Sequence, residues 1–460
     1  MRSLATMTAS RDDDRRSASL VNGVPLSWVL SWVWIFGSGR VRTGATASPE
    51  STPYRQTVSL RRRAFSDRLR SWARRVSIRA GPPEIEVERE APMRSSSAGW
   101  IKLARGLNST ARTGRHHGAN DDRESGAPAA PEASAWAQAL ARYRTPSDGR
   151  AAIEIAITIL PLVTLWVLMW AALDLGYGFV LILAIPAAGF LVRLFMIQHD
   201  CGHGSFFRRR VVNDWTGRII GVLTLTTYGY WRRTHAMHHA SSGNLDRRGP
   251  GGIETLTVEE YRARSRWGRL CYRLYRHPLI MFGIGPAYLF ILRQRLPFGL
   301  MRAGWQPWRS TMETNLAIAL FASTLIWLIG IKAFLLVHVP IMLVAASVGV
   351  WLFYVQHQFE RTTWENDREW NPHRSALHGS SHYDLPALLR WFTANVGVHH
   401  VHHLCSRIPY YQLSRVLREH PGLRDVNRLT LLESFRCVRL VLWDESQHRL
   451  VAFHDVKASV

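Results

Sequence analysis

Three short stretches carry histidines at spacings that suit metal ligation. The first, HDCGH, places His199 and His203 four residues apart. The second, HAMHH, holds His235, His238 and His239, and the third, HHVHH, repeats that spacing with His399, His402 and His403. On a helix, positions i, i+3 and i+4 share a face, so each block aims two or three imidazoles at one spot. His400 would widen the arc of the third block and is expected to face away. A lone histidine at a membrane edge is ordinarily an amphipathic residue in a suitable place. Eight at matched helical spacing, among 20 histidines in all, point instead to metal. Imidazole is a common ligand of zinc, copper, iron and nickel. A structural zinc takes four ligands and a catalytic zinc about three, so eight or nine nitrogens suit two ions with positions left open.

The elements that must position these blocks are apolar. AAIEIAITILPLVTLWVLMWAALDLGYG and FVLILAIPAAGFLVRLFMIQHD form one helical hairpin, and its second half runs straight into His199. NLAIALFASTLIWLIGI and AFLLVHVPIMLVAASVGVWLFYV form another, joined around Lys332. Each half is near the ~20 apolar residues that cross a bilayer. Arginines crowd the loops on one side while the hairpin turns stay nearly uncharged, which places both termini and the large loops in the cytoplasm. Pro278–Leu292 is apolar but short and contains Gly283, Gly285 and Pro286. Were it a full span, the first and last histidine blocks would lie on opposite sides of the membrane. An interfacial or re-entrant segment lets them meet. The expected fold is therefore an all-α integral membrane protein, with four transmembrane helices in two hairpins and a cytosolic helical cap holding two metals.

Residues 1–148 read as a disordered, Arg-rich extension whose Pro, Ser, Gly and Ala content cannot bury enough surface to fold. Two islands interrupt it. Val21–Gly37 is apolar but carries Pro25, and reads as a span, a signal-like segment or an interfacial one. Ser59–Arg79 sets Phe65, Leu69, Trp72 and Val76 at helical spacing among arginines, as in a basic helix on an anionic membrane, or a segment without a role. Residues 441–460 read as a C-terminal tail. The formal charge of +24 does not point to nucleic acid, because it accompanies apolar spans and no nucleic-acid-binding motif. Cys201, Cys271, Cys405 and Cys437 are too scattered for a disulfide framework and read as reduced thiols.

Two imidazole-fed metals beneath an apolar bundle suggest oxygen chemistry on a lipid. A methylene C–H bond offers nothing to an acid, base or nucleophile, so redox-silent zinc would not serve. The protein would place one carbon pair beside the metals and exclude water.

QHDCGHGSFF, WRRTHAMHHASSGNLDRRGPGG, YVQHQFERTTWE, GSSHYDLP and NVGVHHVHHLCSRIPYYQL together resemble the membrane fatty acid desaturases, a family of non-haem di-iron enzymes. The resemblance covers about Ala151 to Leu440, so residues 149–440 are read as the desaturase domain. It implies two iron ions, O2, a fatty acyl lipid substrate and two electrons from outside. It implies as ligands His199, His203, His235, His238, His239, His399, His402 and His403. His357, in YVQHQFE, stands where the family commonly has a ninth, while His382, and then His373 and His378, are weaker candidates. Asp200 and Asp246 are expected either to orient imidazoles or to cap helices and pair with arginines. The first block resembles acyl-lipid, methyl-end (delta-12 or omega) desaturases. EHPGL only superficially resembles a cytochrome b5 motif and is read as a turn. With no dinucleotide fingerprint, the electron donor is expected to be a separate ferredoxin or cytochrome. The expected location is a bacterial inner membrane with the site in the cytoplasm, or alternatively the endoplasmic reticulum. The rival readings are a hydroxylase or ketolase on the same scaffold and, from another class, a non-enzymatic metal-binding membrane protein. The latter would need ionisable residues along its spans, where His338 is the only deep histidine.

Overall fold

A computed structural model of the chain describes residues 130–249 and 251–458. The islands Val21–Gly37 and Ser59–Arg79 lie outside the described residues. Among those described, four helices are long and apolar enough to cross a membrane: Asp148–Ala172, Tyr177–His203, Trp305–Ile329 and Ile331–His357. The first two form one hairpin and the last two another, the latter joined at Gly330. Their burial is unequal, at 56% and 39% for the second and fourth spans against 17% and 11% for the first and third. The second and fourth spans are thus the central pair. The outer spans turn Leu160, Leu168, Leu316 and Trp327 outward, which suits hydrocarbon rather than water.

Both central spans end on a candidate ligand. The second stops at His203 because Gly204 adopts a left-handed φ of 69°, and the N–H of Ser205 turns back to Asp200 O at 3.0 Å. The fourth stops at His357. The second block lies on the helix Tyr228–Ser241 and the third on the helix His399–Leu404.

Pro278–Leu292 does not form a fifth span. It winds as two π turns, Ile280–Ile284 and Tyr288–Leu292, around Gly285–Ala287. Phe282 packs on Trp351 and Tyr354 of the fourth span at 5.0 and 5.2 Å between ring centres. Phe290 reaches Phe195 of the second span at 6.2 Å. The segment therefore braces the central pair near its histidine-bearing ends.

Two boundaries differ from the sequence reading. The extension read as disordered to residue 148 is ordered before that: Ala130–Ala139 is helical, and Leu140 and Tyr143 in the following turn are buried in the main core. The described part of the stretch read as a C-terminal tail, 441–458, packs against the rest of the fold. Leu442–Asp444 pairs in parallel with Leu256–Thr257 and antiparallel with Arg449–Val451, burying Leu442, Trp443 and Leu450. A second parallel pair joins His382–Asp384 to Arg428–Thr430. These short strands are the departure from an all-helical chain. EHPGL contains a single 3-10 turn, Pro421–Leu423, and all four cysteines are free.

Candidate metal centre

The histidines gather in two groups. His199, His203, His235, His239 and His402 form one, and His238, His357, His399 and His403 the other, with the ligand atoms of each group within 4.8 Å of one another. All nine sequence candidates are brought together, His357 included. The blocks do not map onto the groups one to one. Each i, i+4 pair (His199 with His203, His235 with His239, His399 with His403) enters a single group, while the i+3 member, His238 or His402, crosses to the other. Four residues of helix turn a side chain by only about 40° and three turn it about 60° the opposite way. Each three-histidine helix therefore serves both groups.

The nitrogens converge. Nε2 of His235 lies 3.0 Å from that of His203 and 3.1 Å from that of His239, which is 3.1 Å from that of His402. In the other group Nε2 of His357 lies 3.0 Å from His238 and 3.1 Å from His399, which is 3.1 Å from His403. With metal–nitrogen bonds of about 2.05 Å, neighbouring ligands of an octahedral shell stand about 2.9 Å apart and those of a tetrahedral shell about 3.3 Å. The observed separations lie between these two values, so the nitrogens stand as close as ligands of a shared ion.

Two of the imidazoles have a partner behind them. His357 Nδ1 donates to Gly379 O at 3.2 Å, so its Nε2 carries a bare lone pair although two other imidazoles aim at it. A cation between them resolves that repulsion, and the residues present fit one. His199 Nδ1 lies 3.1 Å from Asp200 Oδ1, whose other oxygen accepts the Tyr410 N–H at 2.7 Å. Burial, reinforced by neighbouring imidazoles, holds His235, His238, His239, His399, His402 and His403 well below the ordinary histidine range. At neutral pH these rings are uncharged, the state that ligates metal. Apolar rings flank them: Trp231 stacks on His235 at 4.7 Å and Phe353 meets His238 at 5.0 Å.

The remaining candidates lie apart. Asp246 does not orient an imidazole; its Oδ2 accepts the Asp367 N–H at 2.8 Å and braces a loop. His382 Nδ1 faces Arg424 O at 2.6 Å, and His373 lines a cavity that touches His239 and His403 without joining either group. His378 also lies outside both. His400 is buried and points to Leu423 O at 2.8 Å. Replacing His400 with Ala should leave metal content at the wild-type level while removing the partner of that carbonyl, a loss of about 1–3 kcal/mol. Metal analysis beside a thermal melt checks both halves of this prediction. The role of Gly379 was missed by sequence reasoning, since a backbone carbonyl leaves no residue signature.

The sequence model of the fatty acid desaturase family matches residues 177–430. A fatty acid desaturase of Bacillus subtilis (strain 168) is 44% identical over 318 residues, covering 69% of this chain and 90% of the relative. The chain belongs to the fatty acid desaturase family. The desaturase is also similar to an sn-1 acyl-lipid omega-3 desaturase (ferredoxin) of Synechocystis, at 30% identity over 48% of this chain and 62% of that one. An sn-1 oleoyl-lipid 12-desaturase of Anabaena variabilis is 27% identical over 48% of this chain and 63% of the relative. The chain thus spans about three fifths of these two relatives. Family and spans together make the desaturase a membrane enzyme with a metal site, acting on a fatty acyl chain with O2.

Proposed function

We propose that the enzyme introduces a double bond into the acyl chain of a membrane lipid, using two iron ions held by the nine grouped histidines. The single observation that carries this reading is the gathering of nine histidine side chains in two groups that share two helices. Iron, when bound, supplies the oxidising power that O2 needs to attack an unactivated C–H bond, which zinc lacks. The chain's own residues do the rest. Asp200 and Gly379 O hold two imidazoles in the ligating tautomer. Trp231 and Phe353 put apolar rings against one histidine of each group.

The substrate is a lipid-linked acyl chain of the methyl-end (delta-12 or omega) class, a reading supported by the names of the cyanobacterial relatives. Electrons come from a separate ferredoxin-type carrier, a reading supported by one of those names. The membrane is the bacterial inner membrane, with the site on the cytoplasmic face, in keeping with the arginines beside the histidine-bearing ends.

Expression in a host that lacks the activity, followed by mass-spectrometric location of double bonds in total lipid, tests this function. New double bonds at one fixed position are expected, with iron at about two per chain. Hydroxylated products alone would transfer the protein to the hydroxylase reading. One equivalent of zinc without iron would remove the redox centre altogether.

A further inference from the structure

A buried ion pair joins the first two spans, outside the ligand set. Glu154 on the first span and Arg193 on the second have side chains 1% and 3% exposed, and Arg193 Nη2 donates to Glu154 Oε2. The guanidinium divides its fork. Its Nη1 donates to Trp391 O, and its centre stands 4.1 Å from the Trp391 ring and 5.4 Å from the Tyr410 ring. Glu154 Oε2 also accepts the Tyr410 hydroxyl at 3.1 Å, while Oε1 takes Arg150 Nε at 2.8 Å. Trp391 and Tyr410 stand on either side of the third histidine block in the chain. Tyr410 then reaches on through its backbone N–H to Asp200 and so to His199.

We propose that Glu154 and Arg193 are positioning residues, a two-point clamp that sets the third histidine block against the first. The guanidinium holds the Trp391 flank, and the carboxylate it grips holds the Tyr410 flank, which reaches the group that orients His199. A second contact locks the same segment onto the span: a Cβ at Gly189 would stand 2.8 Å from the Phe392 ring. Stability alone is a poor account of the pair, because buried ion pairs are often replaced by apolar residues without loss. Geometry is what an apolar pair cannot reproduce.

The clamp rests on the metal-centre reading, and the test separates the two. Wild-type protein, Arg193→Lys and the double variant Glu154→Met with Arg193→Met are purified in detergent with metal bound. Release of metal to a chelator, thermal melting, and kcat against KM are then measured. Lysine reaches one of the two acceptors but not both, so Arg193→Lys should shed metal about tenfold faster than wild type. The double variant should melt below wild type, because the Trp391 carbonyl and the Tyr410 hydroxyl lose their partners, and should shed metal as fast, with kcat lowered and KM little changed. Wild-type retention in Arg193→Lys, or in a folded double variant, overturns the clamp and leaves the metal centre standing. Wild-type protein that holds no metal overturns both.

Discussion

Replacing His357 with Ala is expected to reduce desaturation by at least about 100-fold and to cut bound metal by roughly half. The four-histidine group has no donor to spare, and His357 is its hub, with its Nε2 3.0 Å from His238 and 3.1 Å from His399. Three nitrogens would remain, and His238 would lose its 3.0 Å neighbour. His402→Ala provides the contrast. It takes the other group from five donors to four, so it should lose activity comparably but retain more metal. Iron quantification per chain, with double-bond analysis of the same preparations, reads both quantities. Full metal and full activity in His357→Ala would return His357 to an ordinary interfacial histidine.

Much of this site is legible in the sequence because helical spacing and apolar length are local properties. The four spans follow from composition, and the histidine blocks from their i, i+3, i+4 repeats. The division of the second and third blocks between two groups was not read from the spacing, although the physics is simple: i+3 and i+4 depart from i in opposite directions. His357 could be placed at a span end but not beside His238, because their contact depends on how two helices pack. Asp200 and Asp246 show the limit of residue type. Both are acids next to a histidine block or its loop, yet one faces His199 and the other a backbone amide. The strands Leu442–Asp444 and Arg449–Val451 are too short to show alternation, and one pairs with Leu256–Thr257, far away in the chain.

The same packing argues against a passive metal-binding protein. Each of the two three-histidine helices serves both groups, so the two groups share their supports, and a site for one ion has no use for that coupling. Arg193 does sit within a span, but it is neutralised by Glu154 and capped by Trp391 rather than lining a path. Charged residues along a transport route would face a cavity or one another in series.

That coupling makes the backbone just ahead of the third block the most sensitive point outside the ligands. Gly397 runs against Tyr383: the Tyr383 N–H donates to Gly397 O at 2.7 Å, and a Cβ at Gly397 would stand 2.3 Å from Tyr383 O. The obstacle is main chain, so no change of rotamer relieves it. An alanine there must push the His382–Asp384 strand and the Val396–Val398 stretch apart, an overpacking that costs about 1–3 kcal/mol or more. The displacement also strains the His399 N–H, which donates to Ser381 O at 3.2 Å. Because His399 and His403 feed one group and His402 the other, a shift of this helix disturbs both at once. Gly397→Ala is therefore expected to melt lower and to lose metal from both groups, unlike a ligand variant that strips one. Gly349→Ala is the control, since nothing stands within 4 Å of the Cβ it would add on the fourth span. That variant should keep its metal and match or slightly exceed wild-type stability, as alanine favours a helix over glycine. If Gly397→Ala kept wild-type metal in both groups, the third block would not be set by its approach to Tyr383.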